Sequence, residues 1–436
     1  FELSRPFNKI PYFDENVEIS QYPDIPNNEF TRDEILCMLA KEMLDAAEQL
    51  PASQPEVGRI HKYIALAYAA KIKLYQAYQQ DEITHAVTSI NKELLREVVS
   101  LCDQVTASNR YGLLDDFQGL DLVTNENGKE SVFAIQYSMN DGTESAGRIN
   151  WSNLLNSPGG GSPYGGDGFF LPSQDLINAY QTDANGLPDF NYQSKSDYSW
   201  AVLNNGVYTL QNTTPNVDPR LDFVVGRPTI TWKTYPDKPC EGWVRDKDTY
   251  GYNCAKRFWV SPESSDMFNG WPWGASQLNW QIIRYADILL WKAEALIELN
   301  EGNGLETARD LINQIRNRAR NSAYVKDFND HSKYAANYLV NPYPADVWNQ
   351  DYARQALRWE TRLEKALEGE RFFDLVRWGI VETTMNKYIT AESDNRIYYA
   401  NAHFTGGKDE YYPVPNNQYG FSGGKYVQNP GYAPFN

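Results

Sequence analysis

The chain has 436 residues and a formal net charge of −17, so it is long enough to bury a sizeable core. This acidic balance argues against nucleic acid or an anionic membrane surface as the main partner, because like charges repel. No apolar run is long enough to cross a bilayer, and four cysteines are too few for a disulfide scaffold.

Three amphipathic segments near the start of the chain predict helices. Residues 31–50 begin with a threonine followed three positions later by a glutamate, which is the capping-box spacing. Residues 60–80 are rich in alanine, which allows close helix packing, and residues 91–107 place leucines and valines on one face. Successive helices with short connections predict antiparallel hairpins over 31–107.

The segment 141–280 differs in character from the helical segments. It contains punctuation such as SPGGGSPYGGDG and short alternating runs such as LDFVVGRPTITW, which are typical of loops and short strands. A loop region of this length in a compact chain is functional or disordered, and its many aromatic residues argue against disorder. We therefore expect a loop-rich, aromatic insertion that binds the ligand.

A second pair of helices is predicted at 282–320, where two amphipathic segments are joined through EGNG. Paired helices of this kind stack as tetratricopeptide-type units, although the spacing here is irregular. Residues 354–436 predict further helices and an extended, turn-rich tail from Tyr411. The predicted fold is mainly α, built from tetratricopeptide-like hairpins with the loop-rich insertion between them.

The segment from Arg358 to Gly379 repeats glutamates every four residues on one helical face, beginning at Glu360. Two such carboxylates can form the acid–base pair of a glycosidase. They can also belong to a structural ion-pair network, which we favour because every acid has an arginine within helical reach. The arginines in reach are Arg358, Arg362, Arg371 and Arg377.

Four short blocks of the sequence occur together in an informative order. They are DPRLDF from Asp218, IIRYADILLWKAEALIE from Ile282, ALEGERFFDLVRWG from Ala366, and YYPVPNNQ from Tyr411 followed by YVQNPGY from Tyr426. In order and spacing they resemble the SusD/RagB family of outer-membrane lipoproteins, which capture nutrients for Bacteroidetes. The resemblance implies one SusD-like domain over 1–436 with four tetratricopeptide-like hairpins.

The resemblance also implies a partner and a location. Proteins of this family cover a SusC-like TonB-dependent transporter as a lid, on the outer face of the outer membrane. They usually begin with a lipidated cysteine and earlier helices, whereas this chain begins near a later family segment, matched loosely by FELSRPFNKIPYF. We therefore expect the N-terminal section of the family to be missing here and the lipid anchor to lie outside these residues.

The expected function is non-catalytic capture of oligosaccharides at the cell surface and their delivery to the transporter. Peptide capture, as in the RagB branch, is the alternative within the family, and a glycoside hydrolase on a helical scaffold is a less favoured one. Glycan capture needs flat aromatic faces for stacking and polar groups for the hydroxyls. No catalytic residue or cofactor is predicted.

Five aromatic residues of the insertion are the predicted ligand contacts, because nearby glycines and prolines place them on loops rather than in a helix seam. They are Trp232, Trp243, Tyr250, Trp271 and Trp273. Trp151, Tyr164 and Trp200 are weaker candidates, and Trp259 is expected in the core. For each candidate the alternative is a buried position.

The positions of the cysteines and histidines indicate which disulfides and metal sites the chain can form. Cys240 and Cys254 flank a polar loop, so a disulfide between them and two free thiols are equally compatible with the sequence. The four histidines are scattered without metal-ligand spacing, so we expect no metal site.

Overall fold

The computed structural model describes residues 1–144, 147–199, 201–204, 207–210, 215–271 and 273–435. This part of the chain is mainly helical, with a few short strands, as the sequence predicts. Its α-helices are α1 (Ser4–Phe7), α2 (Arg32–Gln49), α3 (Lys62–Ala77), α4 (Lys92–Ala107), α5 (Gln174–Ala179), α6 (Arg220–Val224), α7 (Lys247–Tyr250), α8 (Tyr285–Leu299), α9 (Gly304–Asn321), α10 (Gln350–Glu364), α11 (Arg371–Arg377), α12 (Val381–Glu392) and α13 (Asn416–Phe421).

The strands of the described residues form two-stranded antiparallel sheets. They are β1 (Tyr78–Gln80) with β2 (Val87–Ile90), β3 (Ser131–Ile135) with β8 (Trp280–Arg284), β4 (Ala201–Asn204) with β5 (Val207–Leu210), and β6 (Val225–Gly226) with β7 (Cys254–Ala255). Short 3-10 helices lie at Ile19–Asp24, Phe117–Asp121, Val123–Asn125, Trp151–Asn156, Tyr192–Ser194, Glu241–Trp243 and Ile397–Tyr399.

Helices α2, α3, α4, α8 and α9 lie where the amphipathic patterns predict them. At the start of α2, the Thr31 backbone N–H donates to the Glu34 side chain at 2.8 Å, and the Glu34 N–H donates back to the Thr31 hydroxyl at 3.3 Å. At the start of α4, Asn91 accepts from two backbone N–H groups of the first turn. Each such cap stabilises its helix by about 1 kcal/mol.

The two helical regions pack as one continuous series. Helix α2 packs on α3, α3 on α4, α4 on α8, and α8 on α9, while α10 packs against both α8 and α9. Alanines such as Ala67 and Ala70 of α3 and Ala295 of α8 are buried in the shared core. Their small side chains allow the helix axes to approach closely. The insertion is therefore looped out between α4 and α8, which are neighbours in space.

The insertion has a core of its own. Tyr164, Trp232, Trp243, Cys254 and Trp259 are buried together in it. The Trp232 and Trp243 rings lie 5.0 Å apart, in the edge-to-face arrangement that aromatic pairs prefer. The expected core position of Trp259 is confirmed. The region thus contains a small aromatic core from which its outer loops extend.

The glutamates of α10 belong to a buried ion-pair network, as the favoured interpretation predicts. Glu360 and Glu364 are fully buried. Arg220 contacts Glu360 at 2.6 Å and Glu364 at 3.2 Å, and Arg284 contacts Glu364 at 3.0 Å. Arg318 also pairs with Glu364. These carboxylates are therefore structural groups, and they are unavailable as a glycosidase pair.

The predicted partners of these glutamates are wrong. The arginines that pair with them come from α6, α9 and the segment before α8, whereas Arg362 pairs with Asp175 and Arg377 with Glu294. Arg358 of α10 and Arg371 of α11 line a groove instead. Arginines close in sequence to Glu360 and Glu364 lie near α10. The two buried carboxylates, however, face the core, where arginines from distant segments of the chain reach them.

The remaining features concern the cysteines and the tail. Cys240 is exposed and free, and the buried thiol of Cys254 donates to the Gly226 carbonyl at 3.5 Å. In the tail, the Asn429 side chain donates to the Phe7 carbonyl at 2.9 Å, which holds the chain end against its beginning.

None of the helices in the described part of the chain is both long and apolar enough to span a membrane.

Candidate ligand-binding site

A turn whose two arms are residues 267–271 and 273–276 presents two tryptophans to solvent. Its two arms are joined by an antiparallel bridge between their ends. Gly270 and Gly274 have φ angles of +116° and +75°, which residues with side chains rarely adopt. Near the tip, the side chains of Trp271 and Trp273 are 72% and 56% exposed. The turn therefore holds two large aromatic rings outside the core.

A third tryptophan lies beside this turn. Trp151 begins the 3-10 helix Trp151–Asn156, and the preceding residue, Asn150, donates its N–H to the Ser276 carbonyl at 2.9 Å. This bond fixes the start of the helix against the turn. The ring centroids of Trp151 and Trp271 lie 5.8 Å apart at an angle of 67°. We call Trp151, Trp271 and Trp273 the aromatic platform.

The surroundings of the platform add apolar surface and rigidity. Leu155 and Phe169 are both exposed and are joined by a backbone hydrogen bond of 2.9 Å. A Cβ placed on Gly165 would lie 3.6 Å from the Cβ of Trp273, so the glycine-rich segment is in close contact with the turn. Clusters of exposed apolar side chains mark interaction sites on proteins.

A polar groove of about 720 Å³ adjoins the platform. It shares Phe268 and Asn269 with the turn that carries Trp271. Its volume lies within the range of small-ligand pockets. Hydroxyl, amide and charged side chains line it, and they include Ser138, Asn140, Thr143, Glu144, Arg148, Glu263, Ser264, Ser265 and Asn269.

One wall of the groove is ordered by Asp141. Its carboxylate accepts from the Ser138 hydroxyl at 2.5 Å and the Thr143 hydroxyl at 2.6 Å, and it lies 3.3 Å from Arg148. The hydrogen bonds from Ser138 and Thr143 hold the pKa of Asp141 well below its usual value. The carboxylate is therefore ionised at neutral pH and fixes the conformation of this wall.

One carboxyl group with a raised pKa, that of Glu126, lies outside the groove. Burial raises the pKa of Glu126 to about 7, but its carboxylate accepts from the Asn279 backbone N–H at 2.6 Å and is not among the groove-lining residues. Among the described residues, no three His, Cys, Asp or Glu side chains are grouped so that they could hold a metal ion.

Two of the predicted ligand contacts, Trp232 and Trp243, are buried in the aromatic core of the insertion. Trp232 is 0% exposed, and its indole N–H donates to the Tyr164 hydroxyl at 2.9 Å. Trp243 is also buried. Gly226 leaves the space for Trp232, because a Cβ there would lie 2.3 Å from the indole ring. The glycines and prolines that suggested exposed loops instead allow the chain to fold tightly around these rings.

The other predicted residues are at the surface. Tyr250 is 42% exposed, and its ring lies 6.0 Å from that of Tyr398. Trp271 and Trp273 are exposed as expected, and Trp151, a weaker candidate, lies beside Trp271. Tyr164 is buried, and Trp200 lies outside the described residues.

Comparison with known proteins identifies the fold and the family. The model of the SusD family matches residues 129–432. A SusD-like protein from Bacteroides fragilis aligns with a TM-score of 0.66 and 21% identity over 99% of this chain and 77% of its own. No curated protein matches the sequence at a significant level.

Two further solved structures share the fold. A SusD-like carbohydrate binding protein from Bacteroides fragilis aligns with a TM-score of 0.66 and 20% identity, over 97% of this chain and 76% of its own. Surface glycan-binding protein A from Bacteroides fluxus aligns with a TM-score of 0.61 and 20% identity, over 99% of this chain and 75% of its own. At these identities the likeness establishes the architecture.

Proposed function

Because the chain belongs to the SusD family, we propose that it is a non-catalytic glycan-binding protein of the cell surface. In this proposal it captures oligosaccharides and delivers them to a SusC-like TonB-dependent transporter in the outer membrane. The observation that carries the binding role is the aromatic platform, with two of its rings fixed edge to face at 5.8 Å.

The platform suits the chemistry of a sugar ring. One face of a pyranose presents C–H groups, which pack against a flat aromatic surface, while its hydroxyls need hydrogen-bonding partners. Trp271 and Trp273 offer exposed faces, and the adjoining groove supplies amide, hydroxyl and charged groups. Rings that remain largely exposed give modest affinity, which allows a carrier to release its ligand.

Relatives in structure support the ligand class. Two proteins of the same fold are described as a carbohydrate binding protein and as a surface glycan-binding protein. Family membership supports the transporter partner and the outer-membrane location as parts of this proposal. Purification of the native protein from outer membranes together with a large β-barrel protein would support both, whereas recovery without such a partner would count against delivery.

Calorimetric titration with a panel of neutral oligosaccharides tests the binding role. We expect at least one glycan to bind, and we expect the double variant W271A/W273A to lose that binding while keeping its melting temperature. The matched control is Y334A, which removes another exposed aromatic ring outside the platform. Equal affinity in the double variant and the wild type would show that the platform is not the site.

The same titrations separate the alternatives. Binding of peptides but of no glycan would assign the chain to peptide capture. Release of new reducing ends from any bound glycan would identify an enzyme and overturn the non-catalytic role.

A further inference from the structure

A second groove, of about 340 Å³, lies between α10 and α12 and carries an excess of positive charge. Asp351 is the only carboxylate that lines it among the described residues. The cationic side chains that line it are Arg354, Arg358, Arg362, Arg371 and Lys387. In a chain with a net charge of −17, this groove is a local exception.

Three of these arginines are spaced four residues apart on α10, so they project from one face of the helix. Like charges at this spacing destabilise a helix unless they are compensated. Arg354 is compensated by two hydrogen bonds to Glu298, of 2.7 and 2.8 Å. Arg362 is compensated by Asp175 at 2.6 Å.

Arg358 and Arg371 differ from these two residues. Neither has a carboxylate within 4.0 Å in the described part of the chain. Both guanidinium groups stack near the Trp378 ring, at 5.3 and 5.9 Å from its centroid. Arg371 also donates a long hydrogen bond of 3.4 Å to the Arg358 carbonyl. The two uncompensated guanidinium groups therefore share one small region.

The electrostatic setting of both side chains is unfavourable without a ligand. Burial lowers the pKa of Arg358, and burial together with the charge of Arg362 lowers the pKa of Arg371. Arginine nonetheless stays charged at neutral pH. Half-buried cations without a carboxylate partner are costly, and an anion in the groove would reduce that cost.

The other walls of the groove indicate what kind of anion fits. Thr383 and Thr384 of α12 add hydroxyl groups to the lining, and Phe190 and Trp359 add aromatic rings whose centroids are 5.2 Å apart. A guanidinium group matches a carboxylate in geometry and can bind it through two parallel hydrogen bonds. Hydroxyl donors and aromatic faces suit a sugar ring.

We propose that this groove is a second binding site, and that it takes the carboxylate of an acidic sugar, a uronic acid residue, between Arg358 and Arg371. This groove shares no lining residue with the polar groove beside the aromatic platform. Its volume is sufficient for a small ligand.

Titration with galacturonic acid oligosaccharides tests the proposal, with neutral galactose oligosaccharides of equal length and sodium sulfate at matched ionic strength as comparisons. In the W271A/W273A background, which removes the platform, we expect the acidic sugar alone to bind and to raise the melting temperature. R358Q/R371Q should weaken this binding by at least about tenfold, since hydrogen bonds to charged groups are being removed. The control R320Q removes an exposed arginine elsewhere on the surface.

The melting temperature without ligand separates a binding role from a structural one. Because Arg358 and Arg371 lack carboxylate partners, R358Q/R371Q should melt at or above the wild-type temperature. W271A should leave binding of the acidic sugar unchanged, which makes failure of this site distinguishable from failure of the platform.

Several outcomes would overturn the proposal. They are no binding of the acidic sugar, equal binding by R358Q/R371Q, or an equal effect of sulfate, which would indicate a general oxyanion site. Tighter binding of a glutamate-rich peptide than of the acidic sugar would also overturn it, because the groove would then suit a polypeptide segment.

Discussion

Trp232 and Trp271 belong to the same aromatic segment and have similar glycine and proline neighbours, yet the first is 0% and the second 72% exposed. Trp232 is enclosed by Tyr164, Trp243 and Trp259 and donates a hydrogen bond. Trp271 contacts Trp151 at the end of a turn. The comparison shows that flanking residues determine where a loop can bend, while the surrounding chain determines whether its aromatic ring is covered.

The largest expected effect comes from Trp232→Ala. Loss of this fully buried ring should lower the free energy of unfolding by about 3–5 kcal/mol, whereas Trp271→Ala should change it by less than about 0.5 kcal/mol. Denaturant unfolding of both variants measures the difference. Similar losses for the two variants would contradict the assignment of one ring to the core and the other to the surface.

A buried carboxylate, that of Glu364, likewise depends on what surrounds it. Burial alone would raise the pKa of Glu364, but Arg318, Arg284 and Arg220 outweigh it and lower the pKa to about 2. The carboxylate therefore stabilises the fold above its unfolded pKa of about 4.5, and this stability is lost as pH falls toward 2. The contribution is on the order of 3 kcal/mol.

Glu364→Gln should be less stable than the wild type at pH 7 and should lose less stability between pH 4.5 and pH 2. Thermal melting across this range measures both effects. Glu306→Gln, at an exposed position in the first turn of α9, is the control. An unchanged pH profile in Glu364→Gln would show that the network does not hold this carboxylate ionised.

A smaller effect is expected on the free energy of glycan binding when an exposed tryptophan is removed. Trp271→Ala should weaken glycan binding by about 2 kcal/mol, since exposed aromatic anchors carry much of the energy of an interface. Tyr250→Ala, in the patch with Tyr398, should change it much less. Calorimetry with one neutral glycan compares the two variants, and a larger loss for Tyr250→Ala would move the site to that patch.

The smallest expected effect comes from the backbone of the turn. Gly274 has a φ of +75°, and a Cβ there would lie 3.0 Å from Ser157. Gly274→Ala should therefore cost about 1 kcal/mol of stability and weaken glycan binding by shifting Trp273. Gly160→Ala is the matched control, because its Cβ would meet no atom within 4 Å. Equal behaviour of the two variants would show that the turn is not held rigidly.

Much of the fold could be predicted because its signals are local. The caps at Thr31 and Asn91 act within one helical turn, so a short stretch of sequence specifies where α2 and α4 begin. The spacing of apolar residues along a helix likewise depends only on helical geometry. The candidate site was less predictable, because exposure depends on contacts between distant segments. Trp151 is 120 residues before Trp271, and no local pattern indicates that their rings meet.

The sequence by itself determined the helices, the position of the loop-rich insertion and the family, since caps, periodicity and ordered blocks are properties of adjacent residues. Only the tertiary structure decided which tryptophans are covered and which arginines pair with Glu360 and Glu364. Burial and ion pairing depend on what approaches from elsewhere in the chain. Arg220 reaches Glu360 of α10 from 140 residues away. Arg358 is only two residues from Glu360, but it lines the cationic groove between α10 and α12.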